Sequence, residues 1–549
     1  MNLALLFSYY FVILFSIIGY GYLSSFIYKS TNSISDVGFR GLLILILISY
    51  ITNFFVPHSY IHNIGLISVG LCSFIFFYVK NKVDKNFYII SLISFSIFFI
   101  GLLMYKNHDD FFYYHFPYTV SLITEKKIIG IGLLEHGFRT PSSIFYLNSL
   151  FFLPLINYHL LNIGAIFYLG FSNIFFIEKI VSRIREKKND YILFLSLLSL
   201  IFINTGFYRI AEHGTDKSAL ILIFVFAVIY LDSLNDLKSK NFHLLQEYYG
   251  KLIIILLLII SLKSFYIIYL FLFLIWIFQI QNFYPKKKLF NFLLINKLSY
   301  FFIVSISIFV LSVFLNTGCL IYPASFTCFA NLEWSIPIDQ VDQMKDHYSL
   351  WSKAGINPNS RVVNPELYLN NFNWFINWVN IYFFTKVTDF LSIILLISII
   401  GIYYLRNNKK KINKEKNFLF FYFFVFLFFI EWFVNHPALR YGGYTPIALL
   451  VFIPVSYYIS CHTLFSETLK KRIFTLIILS FVIFTVKNVM RIDNEIKKYN
   501  YSPISSPYYN IIDNAFYFQK MISKIDKKRK KFDKRFYLIL NQDLINSTN

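Results

Sequence analysis

Two aspartates stand side by side in NHDDFFYYHFPY, residues 107–118, directly after an apolar run at 87–105. A carboxylate at the end of such a run is held at a fixed depth beside a bilayer surface, where it can take a proton from a hydroxyl carried by a lipid or a glycan. Asp109 is the expected general base, and Asp110 is either the alternative base or the group that orients a metal ion. The competing reading makes the pair a marker of the water interface, with Tyr113 and Tyr114 as part of an aromatic belt. A second polar segment, GFYRIAEHGTDKSA at 206–219, offers Glu212, His213 and Asp216, which with His115 are expected to position an acceptor. Three cations fall in predicted outward segments or at their edge: Arg139 in HGFRTPSSIFYLNSL, Lys263 in ISLKSFY and Arg440 in NHPALRYGGY. Cations of this kind suit a leaving phosphate. The plainer reading leaves Lys263 snorkelling to the surface and Arg139 and Arg440 as interface anchors.

His108, His115, His136, His213 and His436 share the predicted outward side, but none shows the i, i+4 pairing of a helical zinc site, so no transition metal is expected. A divalent cation such as Mg or Mn at Asp109 or Asp110 remains open, because hard cations take oxygen ligands; no cofactor is required. There is no Walker A sequence and no GxGxxG opening a helix, which leaves ATP drive and a nucleotide-sugar Rossmann domain without support.

The elements that must position these residues are membrane helices. Of 549 residues, 57% are hydrophobic and 15% charged, and the apolar runs are continuous rather than alternating. The expected fold is therefore an all-α polytopic membrane protein. The net charge of +22 needs no nucleic acid, because lysines and arginines cluster between the runs at 80–85, 183–188, 238–240, 286–288, 406–416 and 470–472, where they mark cytoplasmic loops. The outward segments are then about 106–160, 206–217, 316–385 and 436–444. Spans are expected near 3–25, 39–56, 62–79, 87–105, 160–179, 191–207, 218–232, 299–315, 388–405, 418–435, 444–461 and 473–487. The stretch 252–281 is too long for one upright helix and is broken by Lys263, so two shorter helices are expected to meet there near the outer face. The first span lacks a signal-peptide cleavage site and reads as retained, and both termini are expected outside. The chain divides into additional N-terminal spans at 1–86, a main region at 87–487 and a polar basic tail at 488–549. The apolar stretch after Arg139 is too short to span and reads as an interfacial helix on the outer leaflet. Cys319 and Cys328, nine apart around Pro323, are a candidate disulfide.

The order of parts over roughly 87–460, from the acidic pair with aromatics through the second acidic segment and Lys263 to NHPALRYGGY, resembles the GT-C superfamily of membrane glycosyltransferases. The resemblance implies a GT-C-like bundle of about 12–14 transmembrane helices in a bacterial inner membrane, facing the periplasm. It implies an inverting transfer of sugar from a polyprenyl-phosphate donor to a lipid or glycan acceptor, with Lys263, Arg440 and Arg139 on the donor phosphate. Membrane lipids are the surroundings, and nucleic acid is not a partner. The alternatives are a polymerase or ligase of envelope polysaccharide, which would use outer-loop arginines and a histidine, and a transporter without covalent chemistry.

Overall fold

The computed structural model describes residues 2–26, 33–80, 85–108, 110–357, 360–406 and 417–509. Asp109, the 527–531 basic cluster and most of the basic loops at 80–85 and 406–416 lie outside the described residues, as does the side chain of His213.

The fold is all-α. The first helices are α1 (Leu3–Leu23), α2 (Ile34–Asn53), α3 (Tyr60–Lys80), α4 (Lys85–Phe99), α5 (Phe116–Thr124) and α6 (Ser143–Ser149). The central ones are α7 (Gly164–Arg185), α8 (Tyr191–Gly206), α9 (Ile210–Asp236), α10 (Phe242–Leu262), α11 (Tyr269–Ile280), α12 (Lys286–Ile295) and α13 (Lys297–Thr317). The remainder are α14 (Ile338–Ser352), α15 (Pro365–Leu369), α16 (Phe375–Trp378), α17 (Thr388–Leu405), α18 (Phe418–Asn435), α19 (Tyr444–Cys461) and α20 (Glu467–Tyr499). Among the described residues, 11 helices are long and apolar enough to cross a membrane, and three shorter apolar helices accompany them. The chain is an integral membrane protein.

Local chemistry sets the helix ends. Asp190 accepts from the Leu193 amide at 3.0 Å to start α8, and Ser466 accepts from Leu469 at 3.1 Å to start α20. Gly318, in the left-handed region, closes α13. Helix α8 and the middle of α9 are apolar on all sides and buried among their neighbours, whereas α3, α13, α17 and α18 turn rows of exposed Ile, Leu and Phe outward, as lipid-facing helices do. Helices α1 and α3 meet at Gly19 and Gly70, where a Cβ on Gly19 would lie 1.8 Å from the Gly70 carbonyl oxygen, so only glycine permits the approach. At the end predicted to be cytoplasmic, the buried Asp232 carboxylate is gripped by Lys179 and Arg183 and accepts from Tyr248 at 3.0 Å.

Two expectations need correction. The stretch after Arg139 forms α6, whose seven residues are all buried, so it is a wedge inside the bundle against α5 and α2 and not a helix on the leaflet surface. The additional N-terminal spans pack onto the main region: α2 packs on α7, and its Ile34 amide donates to Glu178 at 2.9 Å. The boundary at 487 falls inside α20, and the described part of the tail packs onto the bundle, with Tyr508 stacked 3.7 Å from the His159 ring and Tyr509 buried. By contrast, 252–281 does break at Lys263, whose extended backbone (φ −157°, ψ 124°) ends α10 before α11 begins.

Candidate functional site

Four chain segments bring charge to one end of the bundle. The first starts at Asp110, the residue that opens a wide turn at Phe111–His115 leading into α5; its amide donates to His108 Nδ1 at 3.1 Å. Phe111 and Phe112 bury themselves in the core, which fixes the turn and leaves Asp110 at the rim, 38% exposed. The second is Asp216, just past Gly214, where α9 departs from helical geometry. The third is Lys263. An ammonium within about thirty apolar residues is costly unless it meets an anion, and the chain leaves the helix here so that Lys263 bonds the Asp216 carboxylate. The fourth is Arg440, in the short turn Leu439–Tyr441; Gly442 follows at φ 109°, a conformation that a side chain would strain, and turns the chain into α19.

These segments meet around Tyr441. Lys263 Nζ lies 5.2 Å from the centre of the Tyr441 ring and the Arg440 guanidinium 5.0 Å from it, so two cations share one aromatic ring. Arg440 Nη1 is 3.8 Å from the Asp110 carboxylate. The pattern is two carboxylates and two cations on a single aromatic platform. Trp351 of α14 covers Arg440, with its ring 5.6 Å from the guanidinium, so the segment between α13 and α16 forms a cap over the site. A short hairpin pairing Ile356 with Arg361 belongs to the same cap.

The surroundings tune these groups. Burial holds His115 far below its ordinary pKa, at about 3, against the pull of Asp110, so it is a neutral imidazole, and its Nε2 has no hydrogen-bond partner among the described residues. Burial, followed by the Asp110 and Asp216 charges, pushes the Tyr114 phenol well above its usual value. Burial opposes the Arg440 charge, but Tyr441, Asp216 and Asp110 outweigh it and raise the pKa.

The sequence-predicted residues therefore divide. Asp110, Asp216, Lys263, Arg440 and His115 are brought together. Arg139 is not: it is buried, donates to the Tyr322 hydroxyl at 2.8 Å and the Gly132 carbonyl at 3.2 Å, and stacks on the Tyr322 ring. Its guanidinium joins the 132–139 segment to the cap and lies outside the cluster around Tyr441. Cys319 and Cys328 are joined in a disulfide that brackets Tyr322. Glu212 is also committed elsewhere, bonded bidentately by Arg209 and 3.6 Å from Arg491. Among the described residues no group of three or more His, Cys, Asp or Glu is placed to hold a metal ion. Tyr441 was not singled out from the sequence, and Tyr114 was read there only as part of an aromatic belt, because a chain with 42 tyrosines and 67 phenylalanines hides a few functional rings.

A family model described as a domain of unknown function (DUF8201) matches residues 1–446, which is most of the chain, and the chain belongs to that family. No curated protein and no solved structure matches it.

Proposed function

We propose that this DUF8201 protein is a membrane glycosyltransferase that moves a sugar from a polyprenyl-phosphate donor to a hydroxyl of a lipid or glycan acceptor on the outer face of the membrane. The observation that carries the reading is the pair of cations on Tyr441, Lys263 and Arg440, with the Asp110 carboxylate beside them. A sugar linked to a polyprenyl phosphate is a phosphodiester with one negative charge. When the bond between the anomeric carbon and the phosphate oxygen breaks, that oxygen keeps the electron pair and the carrier leaves as a monoester with one more negative charge. Cations already fixed at the site stabilise this added charge more than they stabilise the donor, which is what accelerates a reaction. The acceptor oxygen forms the new bond to the anomeric carbon from the opposite face, which inverts it. The acceptor proton passes to one of the adjacent aspartates. Asp110 is the described candidate base; Asp109 is the other. Tyr441 and Trp351 offer aromatic faces against which a sugar ring packs, and Trp351 shields the site from water.

Asp110→Asn and Asp109→Asn, purified and compared with wild type on a labelled polyprenyl-phosphate sugar, test the assignment. One of them is expected to lower transfer by about 10²–10⁴-fold with donor binding retained, the usual cost of losing a general base. Near-wild-type transfer in both would reduce the pair to an interface marker.

A further inference from the structure

A second charged cavity, of about 560 Å³, opens at the same end of the bundle, on the other side of His108. It lies between the loop ahead of Asp110, the start of α9 and the last turns of α20. At 1.5 Å per residue the 33 residues of α20 run about 50 Å, more than the ~30 Å of hydrocarbon, so its final turns stand clear of the membrane core. Cations dominate the lining. Arg209, Lys487, Arg491 and Lys498, with Lys106 at the loop, face only Glu212 and Glu495, a net of plus three.

Arg491 is the centre of the cavity. Its side chain is 8% exposed; Nη2 donates to the Leu103 carbonyl at 3.0 Å and the Asn488 side chain at 3.1 Å. Nε and Nη1 are buried without a hydrogen-bond acceptor among the described residues, and the two carboxylates stand 3.6 and 3.5 Å from Nη1. Arg491 holds Glu212 and Glu495 with these inner nitrogens and adds its charge to the cavity wall, so an entering phosphate meets the lysine side chains of the lining. Lys487 reaches the Thr205 carbonyl at 2.9 Å and Lys498 is exposed, so both can turn toward an entering anion. Met490 lines the same cavity while 61% exposed, beside Val486 and Val489 on the outer side of α20, so the opening borders the lipid-facing surface.

We propose that this cavity is a binding site for a phosphate monoester, separate from the Lys263–Arg440 pair, and that it holds the phosphate-bearing head of a second ligand next to Asp110. His108 forms the shared wall: it lines the cavity, and its Nδ1 is 3.6 Å from the Asp110 carboxylate. A ligand whose phosphate lies among the lysines of this cavity sits across His108 from Asp110. The site stands on its own geometry and does not require the transfer reading to be correct.

The test is binding by the purified full-length protein in detergent micelles. Short-chain phosphatidic acid supplies the lipid phosphate, diacylglycerol the uncharged control, and glycerol 3-phosphate and inorganic phosphate the soluble sources. Phosphatidic acid is expected to bind at least about tenfold more tightly than diacylglycerol. The Lys487→Gln/Lys498→Gln pair is expected to remove about tenfold of that affinity, a loss typical of a charge-assisted hydrogen bond. Arg491→Gln is expected to remove more; because Arg491 also bonds the Leu103 carbonyl, the lysine pair keeps the test valid if that variant fails to fold. Lys263→Gln is expected to leave this binding unchanged, which separates it from the transfer site. Tight binding of the soluble phosphates with no preference for phosphatidic acid supports the phosphate site and assigns it a soluble ligand. Equal binding of all four probes, or a lysine pair that binds as wild type does, overturns the proposal.

Discussion

Lys263→Gln separates a catalytic cation from a structural one. The Lys263 side chain is 31% exposed and that of Asp216 17%, so their ion pair lies between an exposed pair, worth about 0–1 kcal/mol, and a buried one, whose disruption costs about 3–5 kcal/mol. A loss of about 1–3 kcal/mol in stability follows, seen as a fall of a few degrees in melting temperature in detergent. The effect on transfer is expected to be larger. Losing one of two cations at a departing phosphate costs on the order of 10²–10³-fold in rate, as removal of one preorganised donor does elsewhere. Asp216→Asn strands the ammonium and lowers stability by a similar amount, but it leaves the cation at Tyr441, and transfer falls less. In the double variant the two stability losses do not add, because the interaction is already gone. Transfer, measured with a labelled polyprenyl-phosphate sugar in proteoliposomes under single-turnover conditions, stays at the Lys263→Gln level. If transfer recovers together with stability in the double variant, Lys263 only pins α9 to the break before α11, and the phosphate assignment is wrong.

Asp232→Ala takes the buried carboxylate from Lys179 and leaves Arg183 only Asp190 and Glu186, at 3.5 and 3.9 Å, and is expected to cost about 3–5 kcal/mol, read as a large drop in melting temperature or loss of folded protein on size exclusion. His115 carries a depressed pKa, so its contribution to stability is complete above its ordinary value of 6.5 and is lost as pH falls from there toward about 3. At pH 5 the loss is roughly 2 kcal/mol, and a His115→Gln protein is expected to lose about that much less between pH 7 and pH 5 in thermal melts. Single cysteines placed at the exposed cap positions Phe326 and Val363, in a background lacking the exposed Cys72, are expected to react with an impermeant reagent in intact cells; labelling only after permeabilisation would put the site on the cytoplasmic side.

What could be read from the sequence was whatever hydrocarbon forces on a chain. Long uninterrupted apolar runs have no soluble alternative, so the spans were visible, most of them to within a few residues; the last helix runs twelve residues past the expected end because its final turns are charged. The break at Lys263 was visible for the same reason, since an ammonium cannot stay in the middle of a span without a partner. Its partner was not visible, because Asp216 and Lys263 lie 47 residues apart and only the packing of α10 against α9 joins them. The misreadings share one cause: apolar and charged runs do not reveal whether lipid, water or protein will cover them. The short run at α6 is covered by protein and was read as covered by lipid. Arg139, expected with Lys263 and Arg440, lies instead on Tyr322.

The end of α20 shows the same ambiguity from the polar side. Lys487, Arg491, Glu495 and Lys498 recur at three- and four-residue spacing, which is the signature of one helix face, but their charge made the segment look like the start of a solvated tail. In the folded chain that face closes over the loop ahead of Asp110: Glu495 accepts from the Tyr105 amide at 2.8 Å and Arg491 donates to the Leu103 carbonyl. The helix thus holds the segment ahead of Asp110 from a residue nearly four hundred positions away in the sequence. In the proposed mechanism that support keeps the carboxylate at one height, because a loop held at one end only would not. The second cavity and the proposed catalytic pair are then two consequences of one packing event, the docking of the last turns of α20 against the 103–108 segment.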